Sequence, residues 1–502
     1  MEHVRFSKII AAVLFLMGSA ALAEPSLTIY NQNFAVVRGR LGLDLARGIN
    51  EVRVTDITAH LEPDSVILRD PQGKHAIQIL EQNYRADPIS QGLLLSLYEG
   101  KEIDFLSDDK IIRGKIIRSG YVPHQSGMQR YGYQYASRQM SYAGGATGQP
   151  IIEVDGKLRF SLPGQPLFPS LADDTILKPT LHWVLEANKK ARFDAELSYV
   201  TGGMSWEADY SMLAQEAGDT INVIGWVTMD NQSGKTFENA RIKLMAGDVS
   251  KIQEEDRLRY DINGYGGYAE TEAWRPPVSE KAFEDYHLYT LNRTTTLRDR
   301  ETKQVEFLRA DGVEAQRLYV YDGVKIDYRR YRGYSWENIR HNREYGTQCN
   351  PKVWVMREFK NSKENNLGMP LPRGLVRFYR RDDDGQLEFT GENFIDHTPR
   401  DETVRVYTGN AFDLIGERRR VDYQIDTSRN WLDESFEIKV RNHKEKDSVE
   451  IRVVEHLYRW ISWEVVEKSH TFLKTDSQTI EFRIEIPAGE EKVVTYKVHY
   501  TW

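Results

Sequence analysis

The chain has 502 residues, 67 basic and 75 acidic, for a formal net charge of −8, with 40% apolar and 28% charged residues. Mild acidity of this kind argues against a nucleic-acid partner, which selects for a basic face, and the length suits roughly two to four domains. With a single cysteine, Cys349, the chain can form no internal disulfide, so packing alone must hold the fold.

The first 23 residues read as a cleavable export signal. Arg5 and Lys8 precede an apolar run over 9–16, and Ala21-Leu22-Ala23 has the small-x-small spacing that a signal peptidase accepts. The cut is expected between Ala23 and Glu24. The run is shorter than the ~20 apolar residues that span a bilayer, and no later stretch resembles a transmembrane helix. The expected product is residues 24–502, periplasmic, cell-surface or extracellular.

Residues 24–185 read as an N-terminal β region. Ser90 to Tyr98 is predicted to form a short helix, with Leu93, Leu94 and Leu97 on one side. The runs 101–105 and 111–117 flank the turn Ser107-Asp108-Asp109-Lys110 and suggest a small SH3-like barrel near 98–120. Residues 121–149 carry Tyr121, Tyr131, Tyr133, Tyr135 and Tyr142 among Gly, Gln and Ser. A flexible insertion is expected near 253–283. Long Tyr-rich loops of this kind either flex or stack on sugar rings.

From 186 to 502 short β runs dominate. Phe436, Ile438 and Val440 alternate with charged residues, as do Ile480, Phe482, Ile484 and Ile486. Period two with one apolar face means strands packed on a core. The run 223–227 is apolar on both faces and is expected to be central. Three runs end in Asn before a polar turn, at Asn231, Asn361 and Asn442, where Asn tolerates left-handed backbone and bonds its own turn. The whole reads as mostly β: several antiparallel β-sandwich modules, immunoglobulin-like, with few short helices. The alternating tail Val494, Tyr496, Val498, Tyr500 and Trp502 also resembles the closing strand of an outer-membrane barrel; an inward-facing final sandwich strand is the competing reading.

Motifs that carry chemistry are sparse. Ser233-Gly234-Lys235-Thr236 ends like a phosphate-binding loop, but the earlier glycine it requires is replaced by Met229. Ser107 and Lys110 have a catalytic spacing on a hairpin turn, where they share no helical face. Asp382-Asp383-Asp384-Gly385 lacks the alternating ligands of a calcium loop and fits a turn. Cys349 lies in a loop-like stretch without a neighbouring His. His287, His397 and His456 have acidic neighbours, yet structural hydrogen bonds explain such His as readily as acid–base work. No catalytic, cofactor-binding or metal residues are assigned, and no cofactor is expected.

Several stretches taken together resemble bacterial proteins carrying the domain of unknown function 4139, related to mucoidy inhibitor A. They are Glu196 through Trp206, Gly225-Trp226-Val227-Thr228 with Glu238-Asn239-Ala240-Arg241, Tyr286-His287-Leu288-Tyr289, Leu367-Gly368-Met369-Pro370-Leu371-Pro372, Val453-Val454-Glu455-His456-Leu457 and Tyr496 to Trp502. The similarity covers about 190–502. The coiled coil of some mucoidy inhibitor relatives is missing. The resemblance implies a β-rich, exported protein and supplies no catalytic residues. The expected function is a non-catalytic cell-envelope binding or scaffolding protein, with envelope proteins or polysaccharide as partners. A hydrolase of envelope polymers and an outer-membrane β-barrel are the alternatives.

Overall fold

The computed structural model describes residues 23–86, 90–121, 149–169, 176–215, 218–247, 249, 251, 278–283, 286–326 and 329–502. The stretch read as an export signal, up to residue 22, most of the Tyr-rich stretch and residues 252–277 lie outside the described residues. Residues 278–283 form the strand Val278–Phe283, paired with Tyr286–Leu291. Strands make up 62% and helices 5%, in several sheets, so the chain is mostly β as its alternation predicts.

The chain divides into two compact units, one of residues 1–206 and 228–304, the other of 207–227 and 305–502. In the first, Phe34–Leu45 pairs antiparallel with Ala191–Gly202 along its whole length and lies at the centre of an eight-stranded sheet. Leu41, Leu43 and Leu45 alternate into the core. A three-stranded sheet is built around Thr180–Ala187. The helix Gln91–Leu97 is present, and its N-cap Ser90 accepts a hydrogen bond from Leu93 N at 3.2 Å. It covers the core made by Leu95, Ile103, Phe105, Ile116 and Ile152.

The strands expected to make an SH3-like barrel form an open five-stranded sheet instead. The hairpin Glu102–Ser107 and Lys110–Arg118 is there, with Asp108 and Asp109 both at positive φ as a tight hairpin turn requires. The terminal strands Gln165–Leu167 and Lys157–Arg159 have only three residues each and do not pair with one another, so among the described residues nothing closes the sheet.

The second unit carries a five-stranded sheet in the order Glu301–Glu314, Thr220–Asn231, Met204–Ala214, Gly374–Arg381, Leu387–Ile395. Thr220–Asn231 has a neighbour on either side, as its apolar run predicts, although Ile224 and Trp226 remain half-buried. A nine-stranded sheet runs Trp463–Lys468, Glu491–Thr501, Trp431–Asn442, Thr403–Asp426, Lys352–Lys360, Gln316–Asp322, Val449–His456, Thr479–Ile486, Leu473–Lys474. Strands from both ends of this order bury their apolar faces in one core: Phe436, Ile438 and Val440 meet Phe482, Ile484 and Ile486. The sheet therefore folds over itself like a sandwich, and its edge strands remain unpaired with each other. This corrects the outer-membrane barrel reading. Among the described residues no sheet closes, and Val494, Tyr496, Val498 and Tyr500 are buried in the core rather than turned outward.

Among the described residues three strand pairs are parallel: Ala23–Tyr30 with Phe237–Ala246, Met204–Ala214 with Gly374–Arg381, and Gln316–Asp322 with Val449–His456. Each joins segments far apart in sequence, so local alternation carries no sign of them.

The three strand-ending asparagines share one arrangement. Asn231, Asn361 and Asn442 are all fully buried. Asn231 Nδ2 donates to Lys235 O at 2.9 Å, Leu297 O at 3.3 Å and Arg298 O at 2.9 Å. Asn361 Nδ2 donates to Met369 O and Pro399 O, each at 2.9 Å, and Asn442 Nδ2 to Asp447 O at 2.8 Å and Ile486 O at 3.0 Å. The Oδ1 atoms accept from Ser233 N, Gly368 N and Lys444 N. The left-handed residue belongs not to these asparagines but to the turn each one fastens, at Arg300, Asp401 and Gly489. In every case the fastened turn leads into the strand that pairs with the Asn-ending one. The recurring sequence pattern marks a recurring loop latch.

Candidate functional site

Between the two sheets of the second unit lies a cleft of about 320 Å³. Its lining carries Arg317, Arg357, Arg380 and Lys444 against one carboxylate, Asp413. Strand register explains the concentration of charge. Arg317 and Arg357 are directly opposite on neighbouring antiparallel strands, and Tyr319 is opposite Val355 one step along the same face. Like charges facing across a ladder destabilise a sheet by roughly 0.2–1 kcal/mol, so this pair is a local conflict within an acidic protein.

Arg357 and Lys444 are held in place. The side chain of Arg357 is 7% exposed; its Nη1 donates to Ala315 O at 2.9 Å and to Asp219 Oδ1 at 3.2 Å. Burial and the nearby Arg317 and Arg380 bring its pKa down to about 10. Lys444 Nζ donates to Tyr319 Oη at 3.0 Å. Burial pushes the Tyr319 hydroxyl up, but hydrogen bonds and positive charge from Lys444 and Arg317 leave it below its ordinary value. The phenol that ionises more easily reports a positive potential, whereas burial is the larger cause at Arg357 and its guanidinium neighbours add to it.

The backbone shapes the cleft with two bulges. Register slips between Phe378 and Tyr379 opposite Gly391 and Phe389, and again between Val355 and Met356 opposite Gly409 and Tyr407. The extra residues, Thr390 and Thr408, both line the cleft. Gly391 permits the approach of the two bulged strands, because a Cβ there would lie 2.0 Å from Thr408 O. Bulges are common beside binding sites, where they re-aim side chains. Phe378, Tyr379 and Phe412 add aromatic surface, and the Phe412 side chain is 96% exposed. Fixed cations with aromatic walls suit an anion attached to a less polar body.

The chain matches the family described as Domain of unknown function (DUF4139) over residues 195–502. It belongs to the DUF4139 family. The match covers more than half the chain and includes every residue of the cationic cleft. A search among curated proteins finds no match.

The residues weighed from sequence are dispersed. His287 Nδ1 lies 2.7 Å from Glu280 Oε1 on the adjoining strand of the first unit. Within the DUF4139 domain, His397 Nδ1 accepts from Arg373 N at 3.1 Å, and His456 Nε2 lies 2.9 Å from Asp322 Oδ2. None of these histidines lines the cationic cleft. Beside His456, Glu455 is fully buried, takes Arg418 Nε at 2.9 Å and accepts from Tyr496 Oη at 2.5 Å. That arrangement is a core ion pair with its hydrogen bonds filled. Cys349 is exposed and shares a separate cavity of about 490 Å³ with Asp322, Lys325 and Lys352. Lys235 of the rejected phosphate-loop motif is ion-paired with Asp56. Asp382 to Gly385 form the hairpin turn between Gly374–Arg381 and Leu387–Ile395. Among the described residues no group of His, Cys, Asp and Glu could hold a metal ion, and no helix is long and apolar enough to cross a membrane. Ala23 opens the first described strand, Ala23–Tyr30, and Glu24 follows it at positive φ.

Sequence reading misses the four cleft cations. They are spread over residues 317 to 444 and meet only through strand register, for Arg317 and Arg357, and through packing of the second sheet and a loop, for Arg380 and Lys444. The available signal is Arg357 in line with Val353, Val355 and Phe359 on Lys352–Lys360, a charge at a position that alternation assigns to the interior.

Proposed function

We propose that this is an exported cell-envelope binding protein, non-catalytic, whose DUF4139 domain captures an anionic ligand in the cationic cleft. The observation that carries the reading is the facing pair Arg317 and Arg357 at a cleft lined by four basic side chains and one acid. Facing guanidinium groups repel each other, and an anion seated between them turns that conflict into attraction, since charge-assisted hydrogen bonds are the strong ones. Export is supported by Arg5, Lys8, the apolar run and the Ala21-Leu22-Ala23 site. The scattered histidines, each already hydrogen-bonded, favour binding over hydrolysis.

Isothermal titration with methyl phosphate, acetate and methylammonium tests the reading. Both anions are expected to bind the wild type and the cation to give no heat. Arg317→Gln with Arg380→Gln is expected to weaken anion binding at least about tenfold, the loss of one charge-assisted contact or more. Equal binding by the double variant would place the anion elsewhere.

A further inference from the structure

We propose that the anion is the phosphate of a phosphoethanolamine lipid headgroup and that the rim of the cleft seats in the bilayer surface. This rests on the anion-capture reading and adds its source. Phe412 stands at the mouth with its ring almost wholly in solvent. Phe389 is 55% exposed, its ring packing edge-on against the cleft-lining Tyr379 at 5.9 Å. Leu387, two residues away on the same strand, is also exposed. Phe and Leu offer no hydrogen bond, so they match an acyl and glycerol layer better than a hydroxyl-rich sugar, for which the polar handle of Tyr or Trp is the usual partner. Peripheral binding to membranes commonly combines charge attraction with apolar insertion.

Asp413, the acid of the mouth, chooses the headgroup, and further acids stand on the turn before Leu387. Asp413 is exposed next to Phe412, and Asp382, Asp383 and Asp384 form the turn that precedes Leu387. A strongly anionic membrane would be repelled there. A headgroup that carries an ammonium two carbons from its phosphate satisfies both signs: phosphate on Arg317, Arg357 and Lys444, ammonium toward Asp413. A quaternary ammonium has no N–H to donate to that carboxylate.

Co-sedimentation with vesicles of phosphatidylcholine alone, phosphatidylcholine with phosphatidylethanolamine, and phosphatidylcholine with phosphatidylglycerol tests this. Soluble phosphoethanolamine and glycerol phosphate are titrated in parallel. The ethanolamine vesicles are expected to retain the mature protein about tenfold better than either other kind. Phe412→Ser is expected to lower vesicle binding far more than it lowers binding of soluble phosphoethanolamine. Asp413→Asn is expected to lower ethanolamine vesicles to the choline level while glycerol phosphate binds at least as tightly as before, since a repelling carboxylate is gone. Both side chains are exposed, and an unchanged melting temperature confirms that the variants fold. Best binding to glycerol vesicles, no preference among vesicles, or full retention by Phe412→Ser overturns the inference. Soluble anions that bind while no vesicle does, or capture by an anionic polysaccharide alone, overturn it and leave anion capture standing. If neither soluble anions nor vesicles bind, both fall.

Discussion

Asn442 shows how much a single buried amide organises. Its Nδ2 serves the carbonyls of Asp447, Ile486 and Pro487, and its Oδ1 accepts from Lys444 N, two residues on. Asn442→Ala removes those donors while the carbonyls stay buried, at about 1–3 kcal/mol for an unsatisfied group. The expected loss in urea denaturation is about 2–4 kcal/mol. Asn442→Asp is expected to cost more, because a carboxylate cannot donate to those carbonyls. Glu455 is a second such point. Glu455→Gln strips the buried Arg418 of its counter-charge, and breaking a buried pair from one side costs about 3–5 kcal/mol. Replacing both with apolar residues is expected to cost less than the single change, a comparison that denaturation of the two variants makes directly.

Arg357 sets the pH response. Its folded value, about 10, lies below its ordinary one because burial and two neighbouring guanidinium groups oppose its charge. Below pH 10 it is charged in both folded and unfolded chains, and the fold bears the full cost. As pH rises through its folded value the native state sheds this proton before the unfolded one does, so its contribution to stability rises with pH there. Anion binding has the opposite sign. A bound anion favours the charged guanidinium, so affinity is expected to be flat from pH 6 to 9 as far as this group is concerned and to fall above about pH 10. Titration of methyl phosphate across that range checks the sign.

At the level of elements, the paired bulges at Thr390 and Thr408 open the cleft, and Gly391 lets them meet. Gly391→Ala must push the Leu387–Ile395 strand from Thr408 O. It is expected to cost about 1–3 kcal/mol, the usual scale of overpacking, and to weaken anion binding as well, which denaturation and calorimetry measure separately. Alternation in the sequence revealed the buried faces of Trp431–Asn442, Thr479–Ile486 and Glu491–Thr501, because apolar period follows from strand geometry alone. It could not reveal the bulges, the parallel pairs or the opposition of Arg317 to Arg357. Those depend on register between segments distant in sequence. The recurring Asn pattern was legible as a repeat, but its cause was not. Local turn chemistry anticipates an Asn that bonds its own turn, as Asn231 and Asn442 do. It also suggests a left-handed Asn, which is not found, and it gives no sign of the second turn, arriving from elsewhere in the chain, that each side chain also fastens.

At the scale of the molecule, an acidic chain gathers a basic cleft in its second unit, within the stretch that matches DUF4139. The sequence placed that family and the β class correctly; it placed the cleft nowhere, since no local motif builds it. The claim that binds these observations together is that Arg317 is kept for an anion and at the expense of the sheet. Calorimetric melting of wild type and Arg317→Gln, each with and without methyl phosphate, tests it most directly. Without anion the variant should melt higher than wild type, by the relief of a facing like-charge pair worth about 0.2–1 kcal/mol, and it should lose the stabilisation that the anion gives to wild type. A variant that melts lower than wild type yet keeps the full anion-dependent rise would contradict the account.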